Sequence, residues 1–312
     1  MTQPRPFRFG VQAGGPADAR GWTELARRCE DLGVSTLTMA DHLDDQLGPV
    51  AGLMAAASAT TVLRVGALVF CNDYRHPAVL AKEAATIDVL SGGRFELGLG
   101  AGWMASDYEQ AGIPLDPAGV RIDRLSEALP IVKALLAGET VEHEGEHHRI
   151  SGLTGTPRAI QRPHPPILVG GGGRRILTLA AREADIVGLN IDLRAGVIDD
   201  RAGPNATVEA TEEKLAWIRE AAGTRFDQIE LQVRVHLAVV TDDARGVGES
   251  MAPAFGLTPE QALATPHALV GTHDEIADTL VERRERWGLS YIGIGADQLD
   301  AMTPVIGRLA GT

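Results

Sequence analysis

The segment from Val69 to Trp103 restricts the fold of this chain more than any other. It reads V-F-C-N-D-Y-R-H-P-A-V-L-A-K-E-A-A-T-I-D-V-L-S-G-G-R-F-E-L-G-L-G-A-G-W. An apolar run from Leu63 to Cys71 reads as a buried strand and ends at the polar Asn72. Ala78 to Leu90 carries apolar residues at helical spacing. Ser91-Gly92-Gly93 turns the chain, and Phe95 to Leu99 forms a second strand pattern that ends in a glycine-rich loop. Strand, helix and strand in this order make a parallel crossover unit. Parallel sheets place their active sites at the carboxyl ends of their strands. Polar and glycine residues stand at both such ends here.

The same alternation runs along nearly the whole chain. Strand patterns cover Phe7–Gln12, Thr36–Ala40, Pro166–Val169, Asp185–Leu189, Ile229–Val240 and Tyr291–Ile294, besides the two above. Helical patterns cover Trp22–Leu32, Leu53–Ala59, Arg121–Ala137, Gly173–Arg182, Glu209–Ala222, His273–Trp287 and Leu299–Leu309. Eight strands separated by helices predict an α/β chain forming a single (β/α)8 TIM barrel over residues 1–312. Two interruptions exceed ordinary connections. Residues 139–166 hold alternating runs around Glu144-Gly145, like a small hairpin; residues 190–207 are polar and punctuated by Gly and Pro. Either is placed to lie near the C-terminal mouth as a lid or to decorate the surface.

A net charge of -13 argues against nucleic acid and anionic membrane surfaces, since both need basic faces. The amino terminus lacks the long apolar region of a secretory leader, and no apolar run reaches bilayer length, so a cytoplasmic location is expected. Cys29 and Cys71 fall in a helix and a strand pattern and suggest neither a disulfide framework nor a metal site. The E-H-E-G-E-H-H run, Glu142 to His148, reads as part of the hairpin, and no metal is expected.

Several residues stand where chemistry is expected. Asp41-His42 follows a strand directly; a histidine there exchanges a proton near neutral pH, or the pair braces a loop. Asn72 offers an amide to a heterocycle edge, or satisfies turn backbone. Gly98 to Trp103 lets backbone approach a flat ring or a phosphate; it matches a dinucleotide fingerprint only superficially, because the third glycine is missing. Gly170 to Arg175 puts free amides at a helix start, an anion site to which Arg174 and Arg175 add charge, or a tight turn with solvated arginines. Glu83 and Arg94 read as a structural ion pair.

These residues resemble a known family. F-R-F-G-V-Q, A-D-H, the long segment from Asn72 to Trp103, Q-R-P-H-P-P-I-L-V-G-G-G-G and A-D-I-V-G-L-N are similar to the luciferase-like monooxygenase superfamily, in its actinobacterial branch that uses coenzyme F420. The resemblance covers nearly the full length. It implies a barrel with an insertion after the fourth strand and a cofactor lying across the strand ends. It implies that Asp41 and His42 sit beside the deazaflavin ring, with His42 as proton donor or acceptor. Cys71, Asn72 and a neighbouring peptide, often a non-proline cis bond in this family, would support the ring. Gly100, Ala101 and Gly102 would border the ring side chain. Gly171, Gly172 and Gly173 would bind the phosphate, and Arg174 or Arg175 would reach the tail. It further implies a homodimer acting on a small-molecule substrate. Flavin-using members share the scaffold, so a reduced-FMN monooxygenase is the alternative, and a non-catalytic cofactor-binding protein is a second one. The chain is shorter than the catalytic subunits of light-emitting luciferases and lacks a cysteine-centred intermediate site, which argues against light emission.

Overall fold

The strand patterns become strands because alternate residues meet two different surroundings, the barrel interior and the surrounding helices. A computed structural model describes residues 4–14, 18–197 and 200–312. The first half of the chain contains β1 (Arg8–Gln12), α1 (Ala19–Asp31), β2 (Thr36–Met39), α2 (Pro49–Ala59), β3 (Arg64–Ala67), β4 (Phe70–Cys71), α3 (Pro77–Leu90), β5 (Phe95–Gly100), α4 (Ala105–Ala111) and α5 (Ala118–Ala137). The antiparallel pair β6 (Thr140–Glu144) and β7 (Arg149–Thr154) follows. Next come β8 (Ile167–Gly171), α6 (Arg174–Glu183), β9 (Ile186–Leu189), α7 (Val208–Ala222), β10 (Glu230–Arg234) and β11 (Leu237–Val240). The chain ends with α8 (Ala244–Met251), α9 (Pro259–Ala264), β12 (Ala268–Gly271), α10 (His273–Trp287), β13 (Leu289–Gly295) and α11 (Leu299–Leu309).

Eight parallel strands close into a ring in the order β1, β2, β3, β5, β8, β9, β10, β13, with β13 returning to β1 and β3 joined to β5. The (β/α)8 expectation holds. Helix boundaries follow local chemistry. Pro77 opens α3 behind the His76 cap; Thr272 and Glu275 form a capping box on α10, and Gly288 closes it at φ 81°. No helix among the described residues is long and apolar enough to cross a membrane.

The outward-facing strand residues are apolar and fully buried under the helices, as with Phe9, Val11, Leu37, Val65, Leu97, Leu99 and Val169. The inward-facing residues form two unlike layers. At the amino-terminal end, Arg8 reaches Glu96 (2.6 Å) and grips Glu230 through two 2.7 Å bonds, while Arg64 also reaches Glu96 (2.8 Å). The Arg8 guanidinium lies 3.6 Å from the centre of the Tyr291 ring. One level up, the layer is mostly glycine. Gly10 pairs in register with Gly293, and Gly170 with Gly188. A Cβ on Gly98 would fall 1.9 Å from the Ala67 carbonyl oxygen, so only glycine fits there.

The space left by that layer is filled by an excursion of the third strand. The expected single strand Leu63–Cys71 is two, β3 and β4, separated by Leu68 and Val69. Leu68 and Val69 pack against Leu168, Ile186 and Tyr291, inside the ring. The Leu68–Val69 peptide is cis. The non-proline cis bond expected beside Asn72 therefore lies three residues earlier.

Other expectations are corrected. Ile229–Val240 is also two strands: β10 stays in the barrel, whereas β11 leaves it and pairs with β12. Alternation continues through Val235 and His236, so periodicity alone hides the break. Glu83 does not meet Arg94. It pairs with Arg75 (3.2 Å), and Arg94 donates to the carbonyls of Leu63 (2.6 Å), Ala57 (2.8 Å) and Ser91 (2.8 Å). The hairpin of β6 and β7 stands against the outer face of α5, where Glu127 accepts from His143 Nε2 (2.9 Å) and the amides of His147 and His148. It lines no part of the central cavity.

The ionic layer gives a stability prediction. Replacing Glu96 leaves two largely buried guanidinium groups short of a counter-charge. We expect Glu96→Gln to lower the unfolding free energy by about 3 kcal/mol, read from urea denaturation. A loss below about 0.5 kcal/mol, the size typical of an inconsequential surface change, would contradict this role.

Candidate active site

A cavity of about 580 Å³ opens at the carboxyl ends of the barrel strands. That is the size of an ordinary small-molecule or cofactor site. Its floor is the inserted Leu68–Val69 segment. One wall is glycine backbone from Gly100 to Gly102; a Cβ on Gly100 would meet Val69 at 2.6 Å. Gly102 has φ 74°, and a Cβ there would fall 1.9 Å from the Tyr108 hydroxyl, so a side chain is excluded twice over. Arg121 fastens this loop from behind by donating to the carbonyls of Ala101 (3.1 Å), Gly102 and Asp116 (2.9 Å).

The opposite end of the cavity is the turn from β8 into α6. Gly171, Gly172 and Gly173 line it, and the first turn of α6 presents its unpaired amides. A Cβ on Gly172 would fall 2.2 Å from the backbone of Ile191. Arg174 and Arg175 line the rim, but each already has an acid: Arg174 meets Glu220 (3.3 Å), and Arg175 meets Asp123. The stretch from Asn190 to Arg194 closes this side, so the 190–207 interruption does border the mouth. Residues 198 and 199 of it lie outside the described residues.

His42 projects into the cavity just beyond β2. Its Nδ1 is 2.7 Å from Asp107 Oδ2 on α4, and its ring meets Trp103 edge-on at 5.7 Å. With Nδ1–H on the carboxylate, Nε2 is the nitrogen left for the cavity. Asp107 is only 4% exposed and also accepts from the Tyr74 hydroxyl (3.3 Å). Burial among these acids pushes the Tyr74 phenol upward, so it stays a donor. Asp41, by contrast, spends its carboxylate on structure. It takes the Arg75 guanidinium with both oxygens and the Cys71 amide at 3.0 Å, tying β2 to β4. Cys71 lines the cavity as a thiol; burial pushes its pKa up to about 11, and its Sγ lies 3.3 Å from the Tyr108 hydroxyl. Asn72 does not line the cavity. It is 2% exposed, and neither amide atom has a partner among the described residues.

The structure thus brings Asp41, His42, Cys71, Gly100 to Gly102 and Gly171 to Arg175 around one space and leaves Asn72 behind it. It adds residues that sequence reasoning did not single out: Asp107, Tyr74 and Trp103 near His42, and Gln12, Gln232, Arg234 and His236 on the wall formed by β1 and β10. Asp107 follows the glycine loop of β5 and had a positional signal. Arg234 and His236 were absorbed into a long strand pattern.

A family model described as luciferase-like monooxygenase matches residues 5–245. The FMNH(2)-dependent dimethylsulfone monooxygenase of Pseudomonas putida is 27% identical over 221 residues, 70% of this chain and 61% of that one. The F420-dependent glucose-6-phosphate dehydrogenase of Microbacterium testaceum is 31% identical over 192 residues, 58% of this chain and 55% of that one. The chain therefore spans less than two thirds of either relative. Among solved structures, the coenzyme F420 dependent tetrahydromethanopterin reductase from Methanopyrus kandleri superposes with a TM-score of 0.79 at 19% identity, covering 98% of this chain and 99% of that one.

Behind His236 lies a second histidine, His267, fully enclosed, with Nδ1 donating to the Arg234 carbonyl (2.9 Å). Burial, with His236 beside it, pushes its pKa down to about 3. His236 is held down to about 4, also by burial and by Arg234, but its ring faces the open cavity, where water screens it. His267 is therefore the histidine whose protonation is coupled to unfolding. The unfolded chain binds a proton at His267 near pH 6.5 and the folded chain does not, so stability falls as pH drops below 6.5. Between pH 6.5 and 5 we expect this group to contribute a slope approaching about 1.4 kcal/mol per pH unit. Denaturation at stepped pH checks this, and His267→Asn should flatten the slope. An unchanged slope would show that other groups set it.

Proposed function

The chain belongs to the luciferase-like monooxygenase family, and from that footing we propose that it is a coenzyme F420-dependent oxidoreductase, moving a hydride between the deazaflavin and a small organic substrate with His42 handling the accompanying proton. Relatives in this family use F420 or FMN. The observation that carries the reading is the His42–Asp107 pair facing a glycine-walled cavity. The similarity to F420-dependent relatives supports the choice of cofactor.

The residues present fit a tricyclic ring with a phosphate-bearing tail. Gly100 to Gly102 give a wall on which a flat ring rests without side-chain interference, and Gly172 sits where no Cβ fits. Gly171 to Gly173 and the α6 amides suit the phosphate, with Arg174 and Arg175 at the rim toward the tail. When bound, the cofactor supplies the hydride chemistry. The chain supplies position and a proton path. Asp107 fixes the tautomer and orientation of His42, Tyr74 holds Asp107, and Trp103 blocks the other side of the imidazole. His42 Nε2 then gives or takes the proton that accompanies hydride transfer. Asp41 stays an acceptor for Arg75 and the Cys71 amide and keeps the floor in register with β2.

A second reading, a reduced-FMN monooxygenase, is favoured by the similarity to the dimethylsulfone monooxygenase. The two separate on cofactor preference and on oxygen. We expect F420 to bind at least about tenfold more tightly than FMN, a difference of about 1.4 kcal/mol, in titrations followed by absorbance and fluorescence. We expect His42→Asn to cut turnover by about a hundredfold or more while changing F420 affinity less than about threefold. Tighter FMN binding with substrate-dependent oxygen uptake would overturn the F420 reading in favour of the second. We further propose that the chain works as a homodimer, to be checked by sedimentation.

A further inference from the structure

The five arginines around the cavity differ in how their charge is balanced. Arg174, Arg175 and Arg194 each have a carboxylate partner. Arg121 has none, but its donors are spent on the carbonyls of the glycine loop and Asp116. Arg234 is the exception. Its Nε donates to Gln12 Oε1 (2.6 Å), and its Nη1 donates to the Val235 and Gly293 carbonyls. Its Nη2 makes no hydrogen bond to the described residues, and no carboxylate among them lies within ion-pair reach. Asp297 attracts it without an ion-pair contact: a Cβ on Gly295 would meet Asp297 Oδ1 at 2.2 Å and Arg234 Nη2 at 3.3 Å, so the carboxylate flanks the guanidinium on that side.

A second polar group beside it is equally unspent. Gln232 is 2% exposed, lines the cavity, and its Nε2 has no partner. A Cβ on Gly293 would lie 2.8 Å from that nitrogen and 3.7 Å from Arg234 Cδ, so the two side chains are neighbours across a glycine. The guanidinium is also braced. Gln12, which accepts from its Nε, donates its own Nε2 to the Leu68 carbonyl (3.0 Å) on the cavity floor. His236 adds a neutral ring whose Nε2 donates to Asn190 Oδ1 (3.2 Å), an oxygen already accepting the Ile191 amide. A braced, largely enclosed cation without a counter-charge, and an idle amide beside it, are costly unless a ligand completes them.

We infer that Arg234 and Gln232 form a substrate subsite for an anionic group, a carboxylate or sulfonate on a small organic molecule, on the wall across from the glycine loop. That this ligand is the substrate rests on the oxidoreductase reading; that the wall binds an anion does not. The Arg234 Nη2 donors take the anion's oxygens, and Gln232 lines the cavity beside them. The rest of the molecule then lies over the floor, toward His42.

The test titrates benzoate, benzenesulfonate and the neutral isostere benzamide into cofactor-free protein at constant ionic strength, and repeats this with F420 present. Wild-type protein should prefer at least one of the two anions over benzamide by about tenfold or more, and the favoured anion tells carboxylate from sulfonate. Arg234→Gln should abolish that preference, and Arg234→Lys should retain part of it. F420 affinity should change less than threefold in both variants, which also reports that they are folded. Equal binding of anions and benzamide to the wild type, or an anion preference that survives Arg234→Gln, overturns the subsite. A variant that loses F420 binding while keeping its circular dichroism also overturns it, because Arg234 would then serve the cofactor. If the wild type binds no F420, the oxidoreductase reading fails, while the cofactor-free titration still decides the anion site.

Discussion

The cavity depends on one packing arrangement: a layer of glycine inside the barrel, occupied by two side chains from the excursion after β3. A barrel of eight strands has just enough interior for side chains to fill it. Here Gly10, Gly66, Gly98, Gly170, Gly188 and Gly293 contribute nothing to the middle layer, and the ionic layer beneath stops at Tyr291. Leu68 and Val69 enter that space and seal it against Leu168, Ile186 and Tyr291. Everything above them is open. The floor therefore exists because the strand residues around it are small, and Gly66 and Gly98 are fixed by contact with the backbone of Glu96 and Ala67.

Electrostatics then sort the acids that surround this floor. Asp41 and Asp107 both lie beside His42 and are both buried, yet they do different work. Asp41 is bound by Arg75 and the Cys71 amide and has no capacity left for the imidazole. Among the described residues Asp107 has no arginine; its partners are His42, the Tyr74 hydroxyl and a long contact from the Leu43 amide. An acid without a fixed cation is the one able to stabilise an imidazolium when a proton arrives. The neighbouring pair of α5, Arg124 with Asp73 at 2.7 Å, keeps a further acid away from the histidine.

Much of this was legible in the sequence, for a physical reason. The barrel follows from alternating periods, and the glycine walls follow from runs that leave backbone no side chain to hide behind. His42 and the Gly171–Gly173 turn were found because strand ends are the only places where a parallel barrel exposes polar groups to a common space. What failed were features that periodicity does not encode. The breaks after Ala67 and Arg234 preserve apolar alternation, so two strands read as one. Asp107 joins His42 across 65 residues, a partnership no local pattern announces. Asn72 stands at the expected place in the chain, but the direction of its side chain depends on how the short turn after β4 is wound.

The two ends of the cavity also differ in how they are built. Toward β8 and α6 the groups are backbone amides on glycines, with charge at the rim already neutralised by Glu220 and Asp123. Such a surface suits a flat group with an anionic end. Toward β10 and β1 the groups are side chains, Gln12, Gln232, Arg234 and His236; Arg234 is held by Gln12, Gln12 by the Leu68 carbonyl of the floor, and His236 by Asn190. Side chains of this kind are exchangeable without disturbing the barrel, because their strands keep the same outward apolar residues, Leu231 and Val233. A cavity organised in this way carries backbone recognition at one end and side-chain recognition at the other.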